Sequence, residues 1–269
     1  MKNLDYQQYL NTDICLQLEA IAELGWKKPT LIQEHAIPLA LEGKDILARA
    51  CTGSGKTAAF AIPILQKVLD RKKATGTQSI RGLILAPTRE LSSQICEHIK
   101  KLCSFCSREI RCIDLAVQAE AEAQKPILTT LPDIIVGTPN RLLIHLQANT
   151  ICLKDSLEFL VVDEADLVLS FGYEDEMKQL VEYLPENVQS FLTSATLDDN
   201  VTLLKKLFLH NPVTLRLQET SLPSPNQLFQ YHIMCEEEDK FVLIYALLKL
   251  RLVKGRSIIF VNTVDRCYR

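Results

Sequence analysis

A glycine-rich stretch at residues 50–57, Ala-Cys-Thr-Gly-Ser-Gly-Lys-Thr, constrains the fold of this chain more than any other feature. It fits the pattern G-x-x-x-x-G-K-[ST] except at its first position, where Ala50 stands in place of glycine. An apolar stretch of strand character precedes it at 45–49, and an apolar helical run follows at 58–65. A glycine turn between strand and helix lets successive N–H groups point at one anion, and the helix N-terminus adds partial positive charge. The stretch therefore predicts a phosphate-binding loop; the alternative is a glycine turn that only links a strand to a helix.

The side chains of this loop predict a nucleotide site that also takes a magnesium ion. Lys56 would neutralise the β- and γ-phosphates, and the Thr57 hydroxyl would hold Mg²⁺. The other loop residues expected to surround the phosphates are Thr52, Gly53, Ser54 and Gly55.

Apolar stretches of strand length alternate with helical stretches along most of the chain. We predict strands at 45–49, 83–86, 110–115, 133–136, 157–162, 190–193 and 213–215. Continuous apolar strands between amphipathic helices are typical of a parallel sheet with helices on both faces. In such α/β folds the ligand lies at the carboxyl ends of the strands. We therefore expect every functional motif to lie at that edge of the sheet.

The composition changes near residue 217. Residues 217–228 are polar, contain Pro223 and Pro225, and show no periodicity, which indicates a linker. Beyond them, strands predicted at 231–234 and 257–261 flank a helix at 239–250, as at the start of a second α/β domain. We thus predict a first domain over 1–216, a linker over 217–228 and an incomplete second domain over 229–269. Because 229–269 is too short to close a sheet of its own, we expect the chain to be part of a longer protein.

Charge and hydropathy exclude several classes of protein. A hydrophobic content of 47% argues against disorder, and a net charge of −3 gives no general attraction to nucleic acid or to a membrane. A nucleic-acid site must therefore be local. No apolar run approaches the roughly 20 residues of a membrane span. Nine cysteines, an odd number scattered along the chain, favour reduced thiols in the cytosol or nucleus. We expect the protein to be a monomer and to have no membrane partner.

A second chemical site is predicted where an apolar strand runs into acidic residues. Asp163, Glu164 and Asp166 directly follow the stretch 160–162. With a phosphate loop upstream, Asp163 would hold Mg²⁺ and Glu164 would deprotonate an attacking water. The alternative is a solvated acidic turn that caps the next helix. In the first interpretation the catalytic residues are Glu164, Asp163 and Lys56.

Residues 163–166 spell Asp-Glu-Ala-Asp, and with the other motifs in order along the chain they resemble the DEAD-box RNA helicases. Trp26, Thr30 and Gln33 resemble the adenine-reading Q motif of that family, which here would span 6–34. By this resemblance Gln33 hydrogen-bonds the adenine edge and Trp26 stacks on the ring. Residues 259–263 resemble the first motif of the family's second RecA-like domain.

Three further short motifs resemble motifs that serve RNA binding or its coupling to ATP hydrolysis in the same family. Two of them resemble the family's RNA-backbone motifs and comprise Pro87, Thr88 and Arg89, and Thr138, Pro139 and Arg141. Each follows a predicted strand and opens a predicted helix, where N–H groups, hydroxyls and arginines suit phosphate oxygens. Ser194 and Thr196, with Asp166, resemble the residues that couple ATP hydrolysis to RNA separation.

The resemblance implies a RecA-like fold, ATP and Mg²⁺ as cofactors, and RNA bound through its backbone without regard to sequence. It also implies RNA-stimulated ATP hydrolysis coupled to separation of short duplexes or to remodelling of ribonucleoprotein. The stretches 25–26, 36–45, 171–174 and 209–215 are similar to a nucleolar branch that serves the large ribosomal subunit. That likeness implies ribosome biogenesis, pre-ribosomal particles as partners and a nuclear, nucleolar location.

The sequence departs from the family pattern in two places. Residues 115–118 stand where the family carries a Gly-Gly that contacts RNA. By resemblance, the arginine finger and part of the RNA grip would lie beyond Arg269. The alternative function is therefore a truncated fragment that binds nucleotide and RNA and hydrolyses almost no ATP.

Overall fold

Seven parallel strands form the central sheet of this computed structural model, which describes residues 15–51, 53–105, 109–116, 120–196, 199–217 and 229–268. The strand order is β3-β4-β2-β5-β6-β1-β7, and every pair is parallel. The strands are β1 (Ile46–Arg49), β2 (Gly82–Leu85), β3 (Cys112–Asp114), β4 (Ile134–Gly137), β5 (Phe159–Val162), β6 (Gln189–Ser194) and β7 (Val213–Arg216). The predicted parallel α/β sheet is confirmed.

Helices connect the strands. They are α1 (Cys15–Glu23), α2 (Leu31–Leu41), α3 (Lys56–Thr75), α4 (Arg89–Leu102), α5 (Ala121–Leu128), α6 (Pro139–Gln147), α7 (Ala165–Ser170), α8 (Glu174–Leu180), α9 (Asp199–Phe208), α10 (Lys240–Lys249) and α11 (Val264–Cys267). Short 3₁₀ turns span Val181–Tyr183 and Glu237–Asp239. Parallel neighbours need such crossovers, because a tight hairpin reverses the direction of the chain.

Both faces of the sheet are buried at its centre, which explains why β2, β4 and β5 are apolar. On one face Ile84 and Val161 pack with Phe60 of α3 in one hydrophobic cluster. On the other face Leu83 and Leu160 belong to a second cluster that includes residues of α6, α8 and α9. Because side chains alternate along a strand, a strand covered by helices on both sides has no position left for a polar stripe.

The chain divides into two units, Met1–Glu219 and Thr220–Arg269. The first contains the sheet and both hydrophobic clusters. In the described part of the second, residues 229–268, the structure has α10, α11 and a 3₁₀ turn but no strand. No helix among the described residues is both long and apolar enough to cross a membrane.

The strands predicted at 231–234 and 257–261 are therefore wrong for this structure. Their apolar side chains are exposed instead, and Tyr231 and Phe260 keep 89% and 91% of their surface accessible. A strand needs a neighbour that accepts and donates its ladder hydrogen bonds. Among residues 229–268 no segment fills that place, so an apolar β-like sequence does not become a strand. Of the predicted linker at 217–228, residues 218–228 lie outside the described residues.

Candidate functional site

The predicted motifs follow the carboxyl ends of neighbouring strands. The phosphate loop follows β1, the acidic residues follow β5, and residues 194–196 lie at the end of β6. The two threonine-proline motifs follow β2 and β4. Because all the strands run in the same direction, these ends share one edge of the sheet, as the sequence predicts.

An open cleft of about 480 Å³ lies at this edge, a volume in the range of small-ligand sites. The lining residues that the sequence singles out are Trp26, Thr30, Gln33, Gly53, Gly55, Lys56, Thr57, Asp163 and Glu164. The lining residues that it does not single out are Lys28, Ala58, Leu91, Gln94, Ile95 and His98. Of the other predicted nucleotide ligands, Ser54 belongs to the loop but does not line the cleft, and Thr52 lies outside the described residues, as do residues 6–14 of the predicted Q motif.

The loop backbone depends on glycine at position 55. Gly55 precedes α3 with a φ of 93°, a left-handed conformation that other residues rarely adopt. A Cβ atom placed there would lie 2.6 Å from Nε2 of Gln33 and 2.9 Å from Oγ1 of Thr30. The start of α2 thus packs directly against the loop, and only a glycine fits between them.

Polar groups within the loop suit an anionic ligand. Lys56 is only 6% exposed, and its Nζ donates to the carbonyl oxygen of Ala50 at 3.1 Å. The Ser54 Oγ is buried and has no hydrogen-bond partner among the described residues. Lys56 lines the cleft, and a buried ammonium gains from a ligand that offers oxygen atoms. The loop residues therefore fit the phosphates of a nucleotide.

The two acidic side chains differ in burial and in surroundings. Asp163 is 7% exposed, and burial raises the pKa of its carboxyl, against a hydrogen bond from Thr193 and the charge of Lys56. Burial and the neighbouring charge of Asp163 also raise the pKa of Glu164. A carboxylate with a raised pKa accepts a proton more readily, which suits Glu164 to a general base.

A magnesium site is consistent with the oxygen donors of the cleft. The carboxylate of Asp163 and the hydroxyl of Thr57 both line it. Mg²⁺ prefers hard oxygen ligands and commonly uses one or two carboxylates together with substrate phosphates. The residues present thus fit the ion that the phosphate loop implies.

Gln33 connects the start of α2 to the phosphate loop. Its side chain is 3% exposed; Oε1 accepts from the Thr30 N–H at 2.9 Å, and Nε2 donates to the Gly55 carbonyl oxygen at 3.1 Å. Trp26 lies beside the same cleft, with its ring centroid 5.6 Å from that of His98 of α4. An amide and an indole on one wall suit a flat heteroaromatic ring.

The predicted RNA motifs lie outside the cleft at two neighbouring helix starts. Thr88 caps α4, where its Oγ1 accepts from the Leu91 N–H at 3.2 Å, and Arg89 is exposed. Thr138 precedes α6 and is 7% exposed. The companion residues of these motifs are Pro87, which is buried, Pro139, which is the first residue of α6, and Arg141, which is half-buried. Because β2 pairs with β4, α4 and α6 begin at adjacent strand ends.

Asp166 contacts residues 195 and 196, which follow β6. Its Oδ2 accepts from the N–H groups of Ala195 and Thr196, both at 3.2 Å, and from the Thr196 hydroxyl at 3.3 Å. Ser194 is buried at the end of β6, and its Oγ accepts from the Thr196 N–H at 3.3 Å. The residues after β5 and those after β6 are thus joined by hydrogen bonds.

Sequence reasoning missed two contributions to the site. The cleft-lining residues Leu91, Gln94, Ile95 and His98 recur at helical spacing, so they form one face of α4 that the periodicity alone indicates. Thr193 is a hydroxyl residue in the buried strand β6, and it contacts both Asp163 and Glu164. A polar residue within a buried strand was the available signal.

A family model described as DEAD/DEAH box helicase matches residues 30–204. The chain is 49% identical over 260 residues to the ATP-dependent RNA helicase dbp9 of Schizosaccharomyces pombe, covering 96% of this chain and 43% of that protein. It is 44% identical over 252 residues to the probable ATP-dependent RNA helicase ddx56 of Dictyostelium discoideum, covering 94% and 37%. The chain therefore spans about two-fifths of the length of these relatives.

Two solved structures resemble the fold. A DEAD box protein from the hyperthermophile Methanococcus jannaschii superposes with a TM-score of 0.71 at 29% identity, covering 91% of this chain and 63% of that one. A hypothetical ATP-dependent RNA helicase from Sulfolobus tokodaii gives a TM-score of 0.64 at 33% identity, covering 74% and 56%. The sheet and helices of this chain are thus those of a known helicase architecture.

Proposed function

Because this chain belongs to the DEAD/DEAH box helicase family, we propose that it binds ATP with Mg²⁺ in the cleft and hydrolyses ATP as part of an ATP-dependent RNA helicase. The observation that carries the proposal is the composition of the cleft. A buried ammonium, a glycine loop at a helix start and two carboxylates meet there, although they come from distant parts of the sequence. This is the set of groups that phosphoryl transfer needs.

In this proposal each group has a separate task. Lys56 and the N–H groups of the loop hold the phosphates, while Thr57 and Asp163 hold Mg²⁺. When bound, the ion supplies positive charge to the β- and γ-phosphate oxygens. Glu164 orients the attacking water and accepts its proton, a role that its raised pKa supports. Gln33 and Trp26 bind the base and favour adenine.

The RNA partner is proposed to bind along the starts of α4 and α6. Thr88, Arg89 and Arg141 present hydroxyl and guanidinium groups at adjacent strand ends, where helix N–H groups also attract phosphate. The hydrogen bonds from residues 195 and 196 to Asp166 would pass the state of the nucleotide to this edge. Separation of short RNA duplexes, or remodelling of ribonucleoprotein, would follow.

A role in ribosome biogenesis in the nucleolus, on pre-ribosomal particles, is a finer part of the proposal. It is supported by the likeness of residues 36–45 and 209–215 to the nucleolar branch of the family. Imaging of the tagged protein against a nucleolar marker, with sedimentation of lysates to find co-migration with pre-ribosomes, tests it. Exclusion from the nucleolus would contradict it. A monomer is proposed as well, and analytical ultracentrifugation measures it directly.

Nucleotide binding is tested by calorimetry with ADP and Mg²⁺. We expect Lys56→Ala to lose about 30-fold or more in affinity, since removing one member of a buried charge pair costs about 2–5 kcal/mol. Lys73→Ala is the matched control, because Lys73 is an exposed residue of the same helix. Equal affinity of Lys56→Ala and wild type would exclude the cleft as the phosphate site.

Catalysis is tested separately, by single-turnover ATP hydrolysis with and without RNA. We expect Glu164→Gln to bind ADP like the wild type and to lose about 10²–10⁴-fold in rate, because an amide accepts no proton from water. Nucleotide binding by the wild type without RNA-stimulated hydrolysis would favour the second candidate, a nucleotide- and RNA-binding module. That outcome would still agree with the cleft as the nucleotide-binding site.

A further inference from the structure

We propose that Thr193 is a positioning residue of this site, whose hydroxyl holds the Asp163 carboxylate and the Glu164 main chain in the arrangement that binds a magnesium nucleotide. The inference rests on the proposed nucleotide function and adds to it a residue outside the motifs recognised in the sequence. It concerns how the two acidic residues are held, and it leaves their assigned roles unchanged.

A single hydroxyl contacts both acidic residues. Thr193 lies in β6 and is completely buried. Its Oγ1 donates to Oδ1 of Asp163 and accepts from the Glu164 N–H at 3.0 Å. A threonine hydroxyl has one proton to donate and lone pairs that accept, so both contacts are made at once. Valine, which has nearly the same shape, could make neither of them.

The contact to Glu164 supports an uncommon backbone conformation. Glu164 has φ 50° and ψ 56°, in the left-handed region, where a residue other than glycine is held only by its surroundings. The Glu164 carbonyl accepts from the N–H groups of Leu167 and Val168, which begins α7. Its N–H donates to Thr193. The hydroxyl therefore satisfies the N–H group of the turn that places the Glu164 side chain at the cleft.

The contact to Asp163 fixes the orientation of its buried carboxylate. Asp163 is anchored through its own N–H, which donates to the Leu85 carbonyl oxygen at 2.9 Å, while its carboxylate receives the Thr193 proton. A hydrogen bond from a neutral donor fixes the orientation of a buried carboxylate.

The position of Thr193 also relates the acidic residues to the phosphate loop. It is paired in register with Ala48 of β1, the strand that leads into the loop, and the Ala50 N–H donates to the Ser194 carbonyl oxygen at 3.1 Å. The same residue thus lies between the strand that carries the loop and the strand that carries the acidic residues. The hydroxyl thus contacts the acidic residues from the strand that pairs with the strand leading into the loop.

Three variants test the inference. Thr193→Val keeps the branched shape and removes the hydroxyl, and Thr193→Ser keeps the hydroxyl. Ser190→Ala is the matched control, because Ser190 is buried in the same strand and its Oγ has no hydrogen-bond partner among the described residues. Thermal melting followed by near-UV circular dichroism establishes that each variant is folded. If Thr193→Val is destabilised, the assays are run cold in sucrose, which favours the folded state.

The first measurement is the affinity for ADP with Mg²⁺ and with EDTA, by calorimetry. The Mg²⁺ enhancement is the ratio of the ADP affinity measured with Mg²⁺ to that measured with EDTA. We expect this ratio to fall about tenfold or more in Thr193→Val, the usual effect of losing one hydrogen bond to a charged group. Its affinity in EDTA should stay that of the wild type, because the phosphate loop is untouched. Thr193→Ser and Ser190→Ala should keep the enhancement within about twofold. A general loss of structure would lower both affinities together.

The second measurement needs no ligand. Hydrogen exchange of the segment 160–168 reports on the Glu164 N–H, which the Thr193 hydroxyl protects. We expect faster exchange there in Thr193→Val and wild-type exchange in Thr193→Ser.

The outcomes separate this inference from the proposed function. If the wild type binds ADP with a Mg²⁺ enhancement and Thr193→Val keeps both the enhancement and the exchange rate, the inference is overturned and the function stands. If Thr193→Val loses affinity equally in Mg²⁺ and in EDTA, Thr193 is structural and the inference is also overturned. If the wild type binds no nucleotide, the proposed function is wrong, and this inference is wrong as well because it rests on that function.

Discussion

Gly55 illustrates how one residue is determined both by its own backbone and by its neighbours. Its φ of 93° already disfavours any side chain, and the close approach of Gln33 and Thr30 leaves no volume for one. Gly76, at the other end of α3, has a φ of 65° but open space around the position of a Cβ. A comparison of substitutions at the two glycines therefore distinguishes the cost of a positive φ from the cost of a steric clash.

We expect Gly55→Ala to lower the free energy of unfolding by about 1–3 kcal/mol and to weaken ADP binding, since the loop must shift away from Gln33. In Gly76→Ala the new side chain also sits on a backbone with positive φ, but it meets no neighbouring atom. This variant should therefore lose less stability and keep the ADP affinity of the wild type. Urea unfolding and calorimetry measure the two effects. Equal behaviour of the two variants would show that the contact with Gln33 is unimportant.

Gln33 should determine both the choice of base and the position of the loop. We expect the wild type to bind ADP more tightly than GDP, because an amide offers adenine the donor and acceptor that its edge requires. In Gln33→Glu a carboxylate oxygen would face the Gly55 carbonyl oxygen in place of the N–H donor. The affinity for ADP should then fall about 10-fold or more, the effect of replacing a hydrogen bond by two opposed acceptors.

The control for Gln33→Glu is Gln179→Glu, the same change at an exposed position of α8. Calorimetry with ADP and GDP measures all three proteins. Equal affinity of the wild type for the two nucleotides would contradict the assignment of Gln33 and Trp26 to adenine.

At the scale of the element, α4 serves both proposed ligands. Its first residues face the edge where RNA is proposed to bind, and one of its faces lines the nucleotide cleft through Leu91, Ile95 and His98. Burial, together with the charge of Lys101, lowers the pKa of His98, so the imidazole beside Trp26 favours its neutral form. If both proposed ligands bind as described, α4 would connect them directly.

Arg89, exposed in the first turn of α4, should bind RNA through phosphate alone. We expect Arg89→Ala to weaken binding of single-stranded RNA equally for different sequences. The slope of log affinity against log salt should become shallower by about 0.7, the value for one phosphate contact on a single strand. Lys100→Ala, at the other end of the helix and also exposed, should change neither quantity. Fluorescence anisotropy over a salt series measures both, and an unchanged slope in Arg89→Ala would exclude a phosphate contact there.

At the scale of the whole molecule, the proposed nucleotide cleft belongs to the first unit alone. Every residue that lines it falls within Met1–Glu219, as do the seven-stranded sheet and both hydrophobic clusters. Such a unit has its own hydrophobic core and all seven strands of the sheet, and a domain with its own core can in principle fold alone.

We therefore expect residues 1–219 to bind ADP and Mg²⁺ with an affinity within about twofold of that of residues 1–269. They should also unfold in one cooperative transition. Calorimetry and thermal melting test both statements. A large loss of affinity on removing residues 220–269 would mean that the second unit contributes to the nucleotide site.

The features that the sequence alone determined are those set by local chemistry. The glycine loop, the acidic run after an apolar strand and the alternation of strands with helices each need only neighbouring residues. They were sufficient to predict the parallel sheet and to place Lys56 and Asp163 at one edge of it, whereas Gln33 was assigned through the family resemblance. Sequence periodicity reports which residues share a face, and parallel strands bring their carboxyl ends together by geometry.

Only the tertiary structure decided which distant groups meet. The hydroxyl of Thr193 reaches acidic residues about thirty positions earlier in the chain, and Gln33 reaches the backbone of Gly55. The apolar stretches at 231–234 and 257–261 have strand-like composition but no partner among the described residues, so they remain without a ladder. A hydrogen bond is directional and acts over about 3 Å, so its existence depends on where the fold brings the second partner. Composition and spacing specify the groups that can make such bonds, and packing of the whole chain selects those that are made.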